Sequence, residues 1–239
     1  MKKLIWTIVL CVVFCTFAAA AADTYTVAVD PSYPPFTSVD ADGNFTGIDI
    51  YLIEAIAADQ GFEVKYVSVD FDLLIDSVAK GTYDIGLGAI TRTEEREKKV
   101  AMSDPYYVSG QVTLINKNSE IFDALVDLTG LCIGVKEGTV AEELAKPYED
   151  AWIETYFSTD ELLDALRREE VDAVLVDKDV ADSLAEDDCL IRVGEPMSSE
   201  DLVIISNPQD ARLAKMIDHG LAAIKKNGML AAVLMEMFE

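Results

Sequence analysis

The sequence predicts an α/β fold of two lobes, and two observations carry that prediction. Apolar strand-like runs alternate with amphipathic helical stretches along most of the chain, the pattern of sheets covered by helices. One helix-turn-strand unit also occurs twice: Leu74, Ile75, Val78, Tyr83, Asp84 and Ile85 share their spacing with Leu162, Leu163, Leu166, Val171, Asp172 and Ala173. Two such units about ninety residues apart point to two lobes rather than one sheet.

Taken in order, Tyr25 to Val29 reads as a strand. Asp30-Pro-Ser-Tyr-Pro-Pro-Phe36 ends it, because three prolines withdraw backbone donors, and a rigid loop leaves the strand's carboxyl end. Asp42-Gly43 marks a turn, and Ile48 to Ala58 sets Ile48, Leu52, Ile53, Ile56 and Ala57 on one helical face. Val64 to Val69 is a second strand. A helix from Leu73 to Lys80 stops at Gly81, and another strand begins at Asp84. Val112 to Ile115 and Leu131 to Val135 follow as strands, the latter ending in the glycine loop Glu137-Gly138-Thr139. Ala173 to Val176 is a strand that delivers Asp177 at its carboxyl end, and Ala211 to Phe238 reads as two helices broken at Asn227-Gly228. No Ser/Gly/Pro-rich linker is present, so ordered crossings near Tyr107 to Gln111 and near Val193 to Leu202 are expected to join the lobes. The expected partition is residues 23–108 with 199–239 in the first lobe, and 109–198 in the second with its hinge crossings.

The chain opens with Lys2 and Lys3, runs apolar from Leu4 to Phe17 and finishes in small residues before Asp23, the layout of a secretory signal cleaved after Ala22. An uncleaved membrane anchor is the alternative. A lipid anchor fits poorly, since Cys11 follows Leu10 and Cys15 follows Phe14 where a small residue is wanted. No later stretch reaches the ~18 uninterrupted apolar residues of a membrane-spanning helix. The formal net charge of −25 argues against nucleic-acid binding, because a field of this sign repels phosphate backbones. Cys132 and Cys189 remain after processing; an oxidising compartment permits a bridge, and two buried free thiols fit their apolar contexts equally well.

Enzyme signatures are thin. His219 is the only histidine and reads as a helix-surface residue, which leaves little material for triads or His-rich metal sites. Gly86-x-Gly88-x-x-Thr91 lacks the third glycine of a dinucleotide loop, and no phosphate loop or nucleophile elbow occurs. Asp40-Ala-Asp42-Gly43-Asn44 hints at a calcium loop, but its twelfth position is Tyr51 rather than Glu, so a polar hairpin turn is expected. What remains are polar residues at strand ends and loops, where α/β folds place ligands: Asp30, Tyr33, Phe71, Asp72, Gly88 to Arg96, Gly138, Thr139 and Asp177. Arg96 has a planar fork suited to a carboxylate, or else pairs on the surface with Glu94 or Glu95. Asp177 either accepts from an ammonium group or caps the helix beginning near Val180.

Several motifs then occur in a telling order: Asp30-Pro-Ser-Tyr-Pro-Pro-Phe36, Gly47-Ile-Asp49, Phe71-Asp-Leu-Leu-Ile75 through Gly81-Thr-Tyr-Asp84, Gly88-Ala-Ile-Thr91-Arg-Thr93-Glu-Glu-Arg96, Ser103-Asp-Pro-Tyr106-Tyr107, Gly134-Val-Lys-Glu-Gly138-Thr139 and Val171-Asp-Ala-Val-Leu-Val-Asp177. Together they resemble the amino-acid-binding branch of the periplasmic solute-binding proteins of ABC transporters, over nearly the whole chain after the leader. The resemblance implies the type II periplasmic-binding-protein fold, two α/β lobes joined by two crossing strands with the ligand between them. It implies that Arg96 binds the α-carboxylate with help from the Thr91 hydroxyl and from backbone N–H groups near Thr91 and Thr139. Asp177, from the other lobe, holds the α-ammonium with the carbonyl of Gly88 or Ala89, while Tyr33 and Phe71 wall the side chain. Two departures stand out: Val140 replaces a frequent hydroxyl, and Val176 offers no polar contact.

This division has a physical basis, since an amino-acid zwitterion can be buried only when both charges are paired. Asp30 and Lys136 match positions that touch the ligand side chain in glutamine-binding members, which leans to glutamine or a similar polar neutral amino acid. A basic amino acid resting on Asp30 is the alternative if Lys136 turns to solvent. The implied partners are the free amino acid and ABC-transporter membrane subunits, with no cofactor, metal or nucleic acid. The implied protein is a monomer in the periplasm or at the outer face of the cytoplasmic membrane. Cyclohexadienyl-type dehydratases also resemble these proteins, yet they need acid/base groups, and no histidine is placed to supply one. A sensor ectodomain is a further rival, although the chain ends at Glu239 without a second membrane segment or kinase module.

Overall fold

The computed structural model describes residues 22–119, 127–184 and 187–238. The expected leader, apart from Ala22, lies outside these residues, as do Cys11 and Cys15. The first part of the chain runs β1 (Thr24–Val29), β2 (Ser38–Val39), β3 (Phe45–Thr46), α1 (Ile48–Gln60), β4 (Glu63–Ser68), α2 (Phe71–Ala79), β5 (Ile85–Thr91), α3 (Glu94–Glu97), β6 (Ala101–Met102) and β7 (Tyr107–Ser109). The middle part runs β8 (Gln111–Asn116), β9 (Cys132–Lys136), α4 (Val140–Ala145), β10 (Trp152–Tyr156), α5 (Thr159–Arg167), β11 (Ala173–Asp177), α6 (Lys178–Ser183) and β12 (Leu190–Val193). The chain then returns through β13 (Glu200–Ser206), α7 (Ala211–Lys226) and α8 (Met229–Phe238).

Among the described residues the strands build two main sheets. One has the order β4-β1-β5-β13-β6, with β7 also pairing β13; the other has the order β10-β9-β11-β8-β12. Within each, three adjacent strands are parallel, β4-β1-β5 and β10-β9-β11, and the next strand is antiparallel to them. Strands β5, β8 and β11 are buried at every position, as expected for apolar runs covered on both faces. The two sequence-predicted helix-turn-strand units are α2–β5 and α5–β11, one in each sheet. In each parallel trio the chain goes from the central strand, β1 or β9, to one neighbour and then back to the other side. That order reversal leaves a crevice outside the carboxyl ends of β1 and β5, and a second outside those of β9 and β11.

Two crossings link the sheets, between β7 and β8 and between β12 and β13. They touch each other. A Cβ on Gly110 would lie 2.3 Å from the Ser198 carbonyl oxygen, Gln111 N–H donates to Ser198 Oγ at 2.9 Å, and Met197 N–H donates to the Gln111 carbonyl at 2.7 Å.

Local departures from the sequence reading have simple causes. Helix α2 begins at Phe71 rather than Leu73, because Asp70 takes the extended N-cap position and Phe71 turns inward. Asp40 Oδ1 accepts from the N–H groups of Asp42 and Asn44 at 2.9 Å each, so this acidic run is a polar hairpin turn. Cys132 and Cys189 are free thiols, but they are not buried: Cys132 is half-buried and Cys189 is exposed just before the edge strand β12. His219 lies exposed on α7. No helix among the described residues is long and apolar enough to cross a membrane.

Candidate functional site

The two crevices face each other, and their side chains meet in one cavity. Tyr33, Phe71, Gly88, Ala89, Thr91, Arg96, Lys136, Thr139 and Asp177 line it, together with Gln111 and Val140. Of the ten residues to which the sequence reading gives a ligand-binding role, only Asp30 is set back, and it touches the cavity through Lys136; Asp72 and Gly138 lie along a second, outer groove. This groove continues from Phe71, Arg96, Thr139 and Val140 past Asp72, Asp76, Glu95, Lys99, Glu142 and Glu143, giving the cavity an acidic rim.

Asp30 emerges from β1 into the proline loop and accepts from Ser32 N–H at 3.0 Å and Ser32 Oγ at 2.7 Å. Its other oxygen pairs with the Lys136 ammonium at the end of β9, and both side chains are almost fully buried. Lys136 also donates to Ser32 Oγ at 2.8 Å and lies 5.1 Å and 5.8 Å from the ring centroids of Tyr33 and Phe71. Burial draws the Lys136 pKa down, and the Asp30 carboxylate opposes that. Lys136 therefore does not turn to solvent, and the condition attached to the basic-ligand alternative is not met.

Arg96 sits in the short α3, where the Thr93 side chain accepts from its N–H at 3.2 Å. Nη1 donates to the Thr91 carbonyl at 2.8 Å and Nη2 to the Gly138 carbonyl at 3.0 Å, so the guanidinium bridges the two sheets. Its Cζ lies 5.6 Å from the Phe71 ring centroid. Among the described residues it makes no ion pair, which replaces the surface pairing with Glu94 or Glu95. Burial lowers its pKa, opposed by the charges of Glu200, Glu95 and Asp177. Gly138 allows the close approach: its φ is +74°, and a Cβ there would lie 3.1 Å from Asp72 Cα.

Asp177 ends β11 at the N-cap position of α6, yet its side chain makes no cap hydrogen bond. It accepts instead from the Tyr33 hydroxyl and, at 3.0 Å, from Gln111 Nε2. Burial raises its pKa to about 7, and the neighbouring Glu200 and Asp179 add to the rise against the Tyr33 hydrogen bond. Thr91 differs from expectation, since its hydroxyl donates to Glu200 Oε2 at 2.7 Å rather than being free for a ligand. The Thr139 hydroxyl donates to the Lys136 carbonyl at 2.7 Å.

Three residues outside the predicted set shape the site. Asp49, on the second turn-forming position of α1, accepts from Gly88 N–H at 3.0 Å, Ala89 N–H at 2.9 Å and the Tyr106 hydroxyl at 2.6 Å. It holds Ala89 in the left-handed region at φ +48° and fixes that peptide segment against the cavity. Burial lifts its pKa to about 6. Gln111 stands opposite Asp177 in the β8–β11 register. Glu200, 4% exposed, collects Thr91 and, at 2.5 Å, Ser198 Oγ at the crossing. The available signal for Asp49 was a lone acid between Ile48 and Ile50, whereas Glu200, between Ser199 and Asp201, reads as part of a polar strand start.

A model of the bacterial extracellular solute-binding proteins, family 3, matches residues 25–239. A probable histidine-binding protein of Campylobacter jejuni is 35% identical over 158 residues, which span 66% of this chain and 61% of that protein. The L-cystine-binding protein TcyJ of Escherichia coli is 29% identical over 219 residues, 90% of this chain and 82% of the relative. Among solved structures, an ancestral arginine-binding protein bound to arginine superposes with a TM-score of 0.86 at 30% identity, covering 92% of this chain and 100% of that one. An ancestral arginine-binding protein bound to glutamine gives 0.84 at 30% identity, covering 92% and 99%. The architecture is the type II periplasmic-binding-protein fold.

Proposed function

We propose that this chain, which belongs to the bacterial extracellular solute-binding proteins of family 3, captures one free amino acid between its lobes and delivers it to an ABC transporter. The lobes are residues 23–108 with 199–239, and residues 109–198. Arg96 takes the α-carboxylate through its remaining N–H donors, and Asp177 takes the α-ammonium. One observation carries the reading: a buried guanidinium without an ion pair and a buried carboxylate, held by different sheets, line the same cavity. Each is costly to bury alone, and a zwitterion supplies the missing charge to both. Because full pairing needs both lobes, the ligand favours the closed arrangement in proportion to that difference in contacts.

The side chain of the ligand is polar and neutral, with glutamine as the leading identity. Support comes from the slot between the Tyr33 and Phe71 rings, where the Lys136 ammonium already serves as the cation for Asp30. A second cation there would face Lys136 with no spare carboxylate. The relatives' names cover histidine, cystine and arginine, so family membership alone leaves the side chain open. Calorimetric titration with each standard L-amino acid tests both levels. Binding of glutamine or another polar neutral amino acid is expected. Tight binding of arginine, lysine or histidine with none of glutamine overturns the specificity, and no binding of any amino acid overturns the function.

A further inference from the structure

We propose that Gln111 is a ligand-contacting residue whose side-chain oxygen accepts a hydrogen bond from the α-ammonium of the bound amino acid, beside Asp177. This rests on the amino-acid reading above. Gln111 is the first residue of the second sheet after the crossing at Gly110, and it is 3% exposed. Its Nε2 lies 3.0 Å from Asp177 Oδ1 and 3.5 Å from Glu200 Oε2. Both neighbours are acceptors, so the amide orientation is dictated: the reverse would set its oxygen against two carboxylates.

The oxygen is thereby committed to the other direction. Oε1 is buried and receives no hydrogen bond from any described residue. A buried acceptor without a donor is unfavourable and calls for a partner. Gln111 lines the same cavity as Asp177, its register partner across the β8–β11 pair, so their side chains stand side by side on that wall. The group expected at Asp177 is an ammonium, which carries three donors. Asp177 already accepts from Tyr33 and Gln111, which leaves it short of acceptors for all three. The free oxygen of Gln111 adds the acceptor next to it, and a group with a single donor at this place cannot serve Asp177 and this oxygen together.

The test is a crystal structure of the protein with the standard L-amino acid that titrates most tightly, paired with calorimetry on Gln111→Leu. The ammonium nitrogen is expected within about 3.2 Å of Gln111 Oε1. Gln111→Leu is expected to lose about tenfold or more in affinity for that amino acid. The loss should shrink to about threefold or less for its α-hydroxy acid, which has one donor where the ammonium has three. A water molecule or a protein donor at Oε1 in the complex overturns the proposal, as does an equal loss for both ligands. If the variant does not fold, the wild-type complex still decides. Absence of binding by any amino acid to the wild-type protein overturns the functional reading as well, and so separates the two failures.

Discussion

The two sheets are built alike but finished with opposite charges. Where β1 ends the chain places Asp30, and where its counterpart β9 ends it places Lys136; beyond β5 stands Arg96, and at the end of its counterpart β11 stands Asp177. The first of these cross-sheet pairs satisfies itself through a buried ion pair. The second does not: Arg96 rests on the carbonyls of Thr91 and Gly138, and Asp177 accepts from Tyr33 and Gln111. One pair joins the two sheets, while the other, under the proposed function, leaves a positive and a negative group for an incoming dipolar molecule.

The largest effect is expected from breaking the self-satisfied pair. Lys136→Met leaves Asp30 buried without a cation, so stability should drop by about 3–5 kcal/mol. Thermal melts should show it, and added arginine should raise the variant's Tm more than it raises that of the wild type. A variant as stable as the wild type and indifferent to arginine would sink the assignment of Lys136 as internal cation. Arg96→Lys keeps the charge but loses the fork and the bridge to Gly138, and binding should weaken by about 2–5 kcal/mol in calorimetry. Unchanged affinity would remove Arg96 from the carboxylate site.

Asp177→Asn should weaken binding by about 1.5–3 kcal/mol without lowering the melting temperature. Its pH behaviour sharpens the comparison. Asp177 and Asp49 have carboxyl pKa values of about 7 and about 6, above the ordinary 3.8, chiefly through burial. Between the ordinary and the raised values the folded chain holds more protons than the unfolded one. These two groups therefore make the unliganded protein less stable as pH rises from about 4 to 7, with no further change above. Ligand affinity runs the other way, because an ammonium needs Asp177 ionised; it should fall up to about tenfold per pH unit below 7. Asp177→Asn should flatten that affinity profile, and a profile that stays as steep would point to another titrating group. The smallest effect belongs to Asp49→Asn. Its amide oxygen can still take the Gly88 and Ala89 N–H groups, which meet on one carboxylate oxygen, but its NH2 replaces the oxygen that accepts from the Tyr106 hydroxyl, which should cost about 1 kcal/mol in affinity at pH 8 and less at pH 5.

Most of the architecture was legible because it is written locally. Apolar period, proline at a strand exit and glycine at a helix stop placed β1, α1 and the α2–β5 unit close to their observed bounds. Residues at strand ends converged for the same reason, since order reversal in each sheet points those ends at one cleft. What escaped were partnerships made across long stretches of chain. Thr91 looked like a free hydroxyl until Glu200, 109 residues away, took it up. Gln111 looked like a hinge residue until β8 laid it beside Asp177. Asp49 stood only as one member of the Gly47-Ile-Asp49 motif, and packing of α1 against β5 sets it onto the Gly88–Ala89 peptides. The exposed Cys189 shows the reverse error, an apolar-looking context that belongs to a sheet edge.

Under the proposed closure, the contact between Gly110 and Ser198 would set how the halves turn. Two strands that passed each other freely would let one half wobble, slide or shear against the other. Here they press main chain on main chain and share hydrogen bonds, so they act as a single spindle. Any side chain at position 110 wedges that spindle apart, and the axis about which the jaws swing goes with it.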